Sequence, residues 1–230
     1  MQKKSLILFF LLIASSAFPC FSNEDSWPKF DTELAEVVVL SGYVSGGKSL
    51  PDEYPSECNN GEWICMDPPP IKFAIEVSEI VYGEVNVEAI QAFTTSHYGL
   101  SQFEDDESYL FFLLTDGKDF ILPRYHFMTL SYSEEGEEVL PVINLDDEFP
   151  GWFPCGVKSL TKEINYGEPF DNVLLPIEIF EEDELEKIKD FSHISKYAVR
   201  LLKGIELNDL EEYFKVNPII NGNHHCKEKG

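Results

Sequence analysis

The residues with the clearest capacity for chemistry lie in the C-terminal segment NGNHHCKEKG, where His224, His225 and Cys226 are consecutive. Imidazole nitrogens and a thiolate are ligands that Zn²⁺ and Cu²⁺ accept in proteins. Three adjacent side chains face one ion only where the backbone is free to turn. The pattern therefore favours a solvated tail with Cys226 in a disulfide bond, and it leaves a metal-handling tail as the alternative.

Acidic residues form three short clusters that are candidates for calcium ligands or for the paired acids of a hydrolase. The clusters are FEDDES at 103–108, NLDDEF at 144–149 and EEDELE at 181–186. None has the spaced D-x-D-x-D-G order of a calcium loop. Asp105, Asp106 and Glu107 are neighbours in sequence, and neighbouring side chains point apart on a strand, which suits an acid–base pair poorly. We predict loops for the first two clusters and the start of a helix for the third.

Four aromatic residues on loops are candidates for a binding surface. Tyr54 and Trp63 lie in the proline-rich stretch DEYPSECNNGEWICMDPPP, and Trp152 and Phe153 lie in GWFPCG. Aromatic side chains on loops of a rigid scaffold are typical of protein-binding sites. The alternative is that Trp63 and Trp152 cap an open end of a barrel. The sequence contains no G-x-S-x-G, H-E-x-x-H, P-loop or dinucleotide-binding glycine motif, and we predict no cofactor.

The N-terminus has the order of a secretory signal peptide. Lys3 and Lys4 precede an apolar run, which ends in small residues at 15–17. The run is shorter than the roughly 18 to 20 apolar residues of a spanning helix, and we predict cleavage after Ala17. Phe18 and Pro19 stand where a lipoprotein signal has small residues, so Cys20 is predicted to be unlipidated and the chain to lack a membrane anchor. The expected location is the periplasm or the exterior.

Export permits disulfide bonds, and the chain contains five cysteines: Cys20, Cys58, Cys65, Cys155 and Cys226. Cys58 and Cys65 bracket a short loop with turn-forming residues and are the most natural local pair. A second bond would join two of the other three, and the spacing does not choose among them. The net charge of −25 is unfavourable for binding nucleic acid or anionic membranes, so we expect an unknown protein partner.

The elements that would position these residues are strands over most of the chain. AEVVVLSGYV at 35–44 is a β-branched run that predicts a strand with Gly42 as a bulge or bend. IKFAIEV at 71–77 alternates, with Phe73 and Ile75 on one face. Further strands are predicted at 87–95 and 108–115, around 120–122 and 125–132, and at 139–144, with SEEGEE at 133–138 as a hairpin tip.

The composition changes after residue 143. We predict one more strand at 173–180, a helix over HISKYAVRLLK at 193–203 with Ser192 as its N-cap and Gly204 past its end, and a shorter helix over LNDLEEYFK capped by Asn208. The organisation is a signal peptide (1–17), an N-terminal segment (18–34), an antiparallel barrel (35–143) and an extension of one strand and two to three helices packed on it (144–230). The predicted fold class is mainly β, an α+β chain with an OB-like barrel.

The strand order resembles the OB-type barrel of the tissue-inhibitor-of-metalloproteinase (TIMP) and netrin-module group, including its bacterial members. The resemblance is carried by VVVLSGYV at 37–44, FAIEVSEIVYGEV at 73–85 and DDESYLFFLL at 105–114, and covers about residues 35–130. Tyr98 stands where members commonly have a cysteine bridged to one near the mature N-terminus, so Cys20 lacks that partner. Cleavage after Ala17 would also leave two residues ahead of Cys20, whereas the animal inhibitors begin with the zinc-binding cysteine.

The resemblance implies a fold used for binding, without a catalytic apparatus of its own. The sequence therefore predicts an exported, soluble binding module that engages a protease or another protein partner and is not an enzyme. A metal-handling protein using the His-His-Cys tail and a hydrolase using an acidic pair are the alternatives.

Overall fold

The computed structural model describes residues 28–50, 70–95, 103–104, 106–143, 156–168 and 173–219. The first eight strands are β1 (Glu36–Ser49), β2 (Ile71–Tyr82), β3 (Ala89–Thr94), β4 (Ser108–Thr115), β5 (Phe120–Ile121), β6 (Phe127–Thr129), β7 (Ser131–Tyr132) and β8 (Glu138–Pro141). They are followed by β9 (Lys162–Glu163), β10 (Leu174–Pro176), α1 (Glu182–Ile188), β11 (Ser192–Ile194), β12 (Ala198–Leu201), β13 (Lys203–Glu206) and α2 (Leu207–Val216). Two 3₁₀ turns span Val157–Leu160 and Ile177–Ile179.

Five strands close into a barrel in the order β1–β2–β3–β5–β4, with β4 pairing back onto β1. The β3–β5 pair is parallel and the other pairs are antiparallel. This closed order is that of an OB-like barrel, so the predicted fold class, mainly β with an OB-like barrel and a C-terminal helical extension, is confirmed. The single parallel pair makes the barrel mixed, where the sequence predicts an antiparallel one.

The bulge predicted at Gly42 is confirmed. The register of β1 against β2 shifts between Ser41 and Gly42. A Cβ atom on Gly42 would collide with the carbonyl oxygen of Glu76 on β2, so the close approach of the two backbones requires a glycine. The bulge bends β1, and this lets one long strand pair with β2 on one edge and with β4 on the other.

The barrel interior is filled by apolar side chains from alternate strand positions. Phe73 and Ile75 point inward from β2, as their alternation predicts, and are buried with Leu40 and Phe111. Phe103 packs on this core, and its ring centroid lies 4.9 Å from that of Phe127 and 5.2 Å from that of Phe73. The segment that leads into β4 is thereby joined to the barrel core.

A second core lies between the outer face of the barrel and the C-terminal half. Val39 and Phe112 project outward from β1 and β4 and pack with Leu140, Ile205 and Phe214 of the C-terminal half. Because β4 is buried on both faces, the middle of the strand, residues 109–114, is apolar or aromatic at every position. The strand predicted at 108–115 is confirmed.

The C-terminal half contains two further sheets. One has the order β7–β8–β13–β9, and a bridge between Ser133 and Tyr166 joins its two edges. The other has the order β10–β12–β11. A third apolar core, which includes Val139, Tyr166, Val199 and Ile188, lies between these elements and α1.

The predicted helix at 193–203 is wrong. The segment forms β11, β12 and the start of β13, and Ser195 closes the β11–β12 turn by accepting a hydrogen bond from the backbone N–H of Ala198. Val199 and Leu201 are buried at a spacing of two, whereas Tyr197 is 69% exposed although the helix prediction places it on the buried face. Pairing with β10 and β8, which lie far away in sequence, overrides the local helical spacing.

Three related predictions are corrected with it. Ser192 is buried in β11 and donates its hydroxyl to the carbonyl oxygen of Ile188, so it is not an N-cap. Gly204 lies inside β13 and not past a helix. The strand predicted at 173–180 covers only β10 before a 3₁₀ turn, and the described residues of the extension, 156–168 and 173–219, form five strands instead of one.

The two other helix predictions are confirmed. α1 begins at the predicted acidic cluster, where the backbone N–H of Glu181 donates to the carboxylate of Glu184 at 2.7 Å. α2 covers the predicted segment and ends before Pro218, but its N-cap is Glu206 and not Asn208. No helix in the described part of the chain has the length and apolar character needed to cross a membrane.

Candidate functional site

The site residues predicted from the sequence lie outside the residues that the structure describes. These are the five cysteines (Cys20, Cys58, Cys65, Cys155, Cys226), the four loop aromatics (Tyr54, Trp63, Trp152, Phe153) and the tail histidines (His224, His225). Some of them can nevertheless be assigned to the segments between described strands. Tyr54 and Trp63 belong to the connection between β1 and β2, and Trp152 and Phe153 follow β8.

The β1–β2 connection leaves the barrel beside a row of residues that faces outward. Lys48 of β1 lies opposite Lys72 of β2, which in turn lies opposite Phe93 of β3. Lys72 and Phe93 are almost completely buried, and the Lys72 ammonium lies 5.6 Å from the centre of the Phe93 ring. We call these three residues the loop-face row. The row places two lysines and an aromatic ring at the end of the barrel where β1 ends and β2 begins.

The described residues of the acidic cluster at 103–108 do not converge on a shared site. The hydroxyl of Tyr109 donates to the carboxylate of Glu107 at 2.9 Å and accepts the backbone N–H of Glu104 at 2.7 Å. Asp106 is exposed and has a positive φ of 67°, as in a tight turn. Burial raises the pKa of Tyr109. These contacts fix the entry into β4, and Asp105 lies outside the described residues.

A polar network joins the barrel to the second sheet, at a place where the sequence suggests no site. The hydroxyls of Tyr43 on β1 and Tyr132 on β7 are hydrogen-bonded to each other. The Tyr132 hydroxyl also donates to Oε1 of Glu138 at 3.3 Å, and the Ser108 hydroxyl donates to the same oxygen at 2.6 Å. Two hydroxyl donors therefore converge on one carboxylate oxygen of Glu138.

Two more residues complete this group. Ser41 of β1 lies opposite Glu79 of β2, and cross-strand partners present their side chains on the same face. The Ser41 hydroxyl is fully buried and has no hydrogen-bond partner. Glu79 is half-buried, and no hydrogen bond or ion pair joins it to another residue in the described ranges. We call the six residues the seam: Ser41, Tyr43, Glu79, Ser108, Tyr132 and Glu138.

The electrostatics of the seam disfavour negative charge on Glu79. Burial raises the pKa of Glu79 above its ordinary range, and the carboxylates of Glu138, Glu211 and Glu137 raise it further. The same forces act on Tyr132, since burial and its hydrogen bond to Tyr43 raise the pKa of its phenol. The seam therefore combines a hydrogen-bonded carboxylate, Glu138, with an unpaired one, Glu79, that binds a proton more readily than usual.

Sequence reasoning missed the seam because its residues come from five separate strands. A usable signal was present, however. Ser41 and Tyr43 interrupt an otherwise apolar strand at two successive positions of one face, and Ser108 opens a strand whose other residues are buried on both faces. Polar residues on a face that should pack against another layer indicate a polar partner in that layer.

The described residues contain no group of three or more His, Cys, Asp or Glu side chains arranged to hold a metal ion. The chain has no match among protein-family models, curated proteins or solved structures. The OB-like description therefore rests on the strand order, and likeness to the TIMP and netrin-module group stays a prediction.

Proposed function

We propose that this chain is an exported binding module that engages a protein partner through the end of the barrel from which the β1–β2 connection emerges. The observation that carries the proposal is the closed β1–β2–β3–β5–β4 order. In OB-type barrels the face of strands 2 and 3, together with the loop between strands 1 and 2, is the usual binding position. Tyr54 and Trp63 belong to that loop in this chain.

The loop-face row supports the same position. Lys48 and Lys72 lie side by side next to Phe93, at the end of β2 where the connection enters. Lys48 is exposed and adds a basic side chain to this end of a chain whose net charge is −25. Aromatic side chains such as those of Tyr54 and Trp63 are suited to a protein interface, and the overall charge disfavours nucleic acid as the partner.

Site-specific photocrosslinking in the producing cells tests the position. A photoreactive amino acid replaces Trp63 in one variant and Val87 in a control. Val87 is 48% exposed and follows β2 at the opposite end of the strand from the β1–β2 connection, so the control samples the same barrel. We expect a discrete protein adduct from position 63, competed away by excess unmodified protein, and no such adduct from position 87.

Competition with a second variant links the adduct to the aromatic residues. The double variant Tyr54→Ala/Trp63→Ala, with a circular dichroism spectrum and urea midpoint like those of the unmodified protein, should compete at least tenfold less well, because it lacks both anchors. Equal adducts from positions 63 and 87, or equal competition by the double variant, would refute binding at this end of the barrel.

A further inference from the structure

The seam places an unpaired carboxylate where three parts of the fold meet. Glu79 projects from β2 on the outer face of the barrel, on the side of Ser41, and it feels the charges of Glu137 and Glu138 from the β7–β8 hairpin and of Glu211 from α2. Lys215, which lies beside Glu211 on α2, is paired with Glu211 at 2.9 Å and with Glu212 at 2.7 Å. Among the described residues no cation is paired with Glu79.

The remaining side chains around Glu79 do not neutralise it. Tyr43 and Tyr132 are hydrogen-bonded to each other, and Ser108 donates to Glu138. The Ser108 and Tyr132 hydroxyls therefore serve Glu138 and leave Glu79 without a donor in the part of the chain that the structure describes. Negative charge on Glu79 is opposed by the charge of Glu138.

Ser41 supplies the second observation. Its hydroxyl is fully buried without a partner, and Glu79 is its direct neighbour across the strand pair. A buried hydroxyl without a hydrogen bond costs about 1–3 kcal/mol of stability. A neutral carboxyl on Glu79 both donates and accepts hydrogen bonds, and it can lie against the apolar layer at a far smaller desolvation cost than a carboxylate.

We propose that the seam is a proton-dependent latch, in which uptake of a proton by Glu79 tightens the contact of the barrel with the β7–β8 hairpin and α2, and loss of that proton loosens it. Protonation removes the repulsion from Glu137, Glu138 and Glu211, and it lowers the cost of bringing the Glu79 carboxyl against the buried Ser41 hydroxyl, because a neutral carboxyl is desolvated more cheaply than a carboxylate. The barrel interior, which is filled by a separate apolar core, is not part of the switch.

The direction of the effect follows from linkage. Because the pKa of Glu79 is raised in the folded protein, the folded state holds the proton more tightly than the unfolded state. The associated stability is complete below the ordinary pKa of a glutamate, about 4.3, and is lost as the pH rises through the raised value. Each unit by which the pKa is raised changes the folding equilibrium constant tenfold.

Urea denaturation of the full chain between pH 4.5 and 8.5 tests the latch with the variant Glu79→Gln, an uncharged stand-in for the protonated acid. We expect the folding equilibrium constant of the variant, relative to the unmodified protein, to increase with pH and then level off. The matched control is Glu178→Gln, an exposed glutamate in the 3₁₀ turn after β10. It removes the same charge and should change the constant by the same factor at every pH.

A local measurement separates a latch from a general effect of charge. At pH 7.5, amide hydrogen exchange in β2, β8 and α2 should be slower in Glu79→Gln than in the unmodified protein, with β4 unchanged. A uniform change in all strands, or a Glu79→Gln profile parallel to the control, would overturn the proposal. If Glu79→Gln does not fold, carbon-detected NMR titration of Glu79 in the unmodified protein decides: a midpoint above 4.3 supports the latch and one at or below it overturns it.

Discussion

Gly204 offers a sharp test of how the C-terminal half is built, because the sequence and the structure assign it different roles. It lies in β13, between Pro141 of β8 and Lys162 of β9. A Cβ atom placed on it would lie 2.5 Å from the hydroxyl oxygen of Tyr166 and 2.6 Å from Cγ1 of Val139. Both distances are far shorter than ordinary carbon contacts, so Gly204→Ala must displace buried neighbours.

The magnitude follows from those neighbours. Overpacking a closed core costs about 1–3 kcal/mol. Tyr166 also donates its hydroxyl to the carbonyl oxygen of Lys203 at 2.7 Å, and displacing the ring would break a hydrogen bond that contributes about 1 kcal/mol. We therefore expect Gly204→Ala to lower the free energy of unfolding by about 2–4 kcal/mol, measured by urea denaturation followed by circular dichroism.

A double-mutant cycle identifies the cause. Val139→Ala removes one of the three atoms that lie within 3.0 Å of the added Cβ, the third being the carbonyl oxygen of Leu140 at 2.9 Å, so Gly204→Ala should cost less in that background, with a coupling of about 1 kcal/mol. Gly117→Ala is the matched control, since nothing lies within 4 Å of its added Cβ and only its φ of +86° is unfavourable. It should cost about 1 kcal/mol and show no coupling to Val139.

The role that the sequence predicts for Gly204, a position just past a helix, leads to a different expected result. If residues 193–203 formed a helix that ended at Gly204, alanine there would pay only the cost of an unfavourable φ and would be independent of Val139. A cost of Gly204→Ala no larger than the roughly 1 kcal/mol expected for Gly117→Ala, or no coupling in the cycle, would refute the packing described for β13.

Two further predictions concern the barrel and the surface. Phe111→Ala removes a fully buried ring from the barrel interior and should lower the free energy of unfolding by about 3–5 kcal/mol in urea denaturation, whereas the exposed Val87→Ala should change it by less than about 0.5 kcal/mol; similar losses would contradict the assigned interior. Lys162 contacts Asp209 at 2.8 Å and Glu206 at 2.9 Å, and these contacts raise its pKa. The stability that Lys162 contributes is therefore present below the ordinary lysine pKa of about 10.4 and is lost as the pH rises through the raised value. The free energy of unfolding of Lys162→Met should lack this loss between pH 9 and 11.5. Identical profiles of stability against pH for the variant and the unmodified protein would refute the ion pairs.

The sequence alone determined the strand character of the barrel, and the reason is local. Residues such as Phe73 and Ile75 alternate with polar neighbours because one face of β2 is inside and the other is outside. Gly42 marked a bulge because a backbone that approaches so closely tolerates no Cβ. The sequence also predicted the acidic start of α1 and the end of α2 before Pro218, because the effects of capping residues and of proline act within one helical turn.

Only the tertiary structure decided how these pieces meet. Residues 193–203 carry apolar side chains at a spacing that suits a helix, yet they form strands because β10 and β8 supply pairing partners that no local pattern records. The seam is a second case, in which Tyr43, Ser108 and Glu138 are far apart in sequence and are brought together when β4 pairs with β1 and the second sheet packs on the barrel. A sequence pattern encodes which face of a strand avoids water, whereas strand pairing and the grouping of polar side chains depend on contacts between distant segments, and these exist only once the chain has folded.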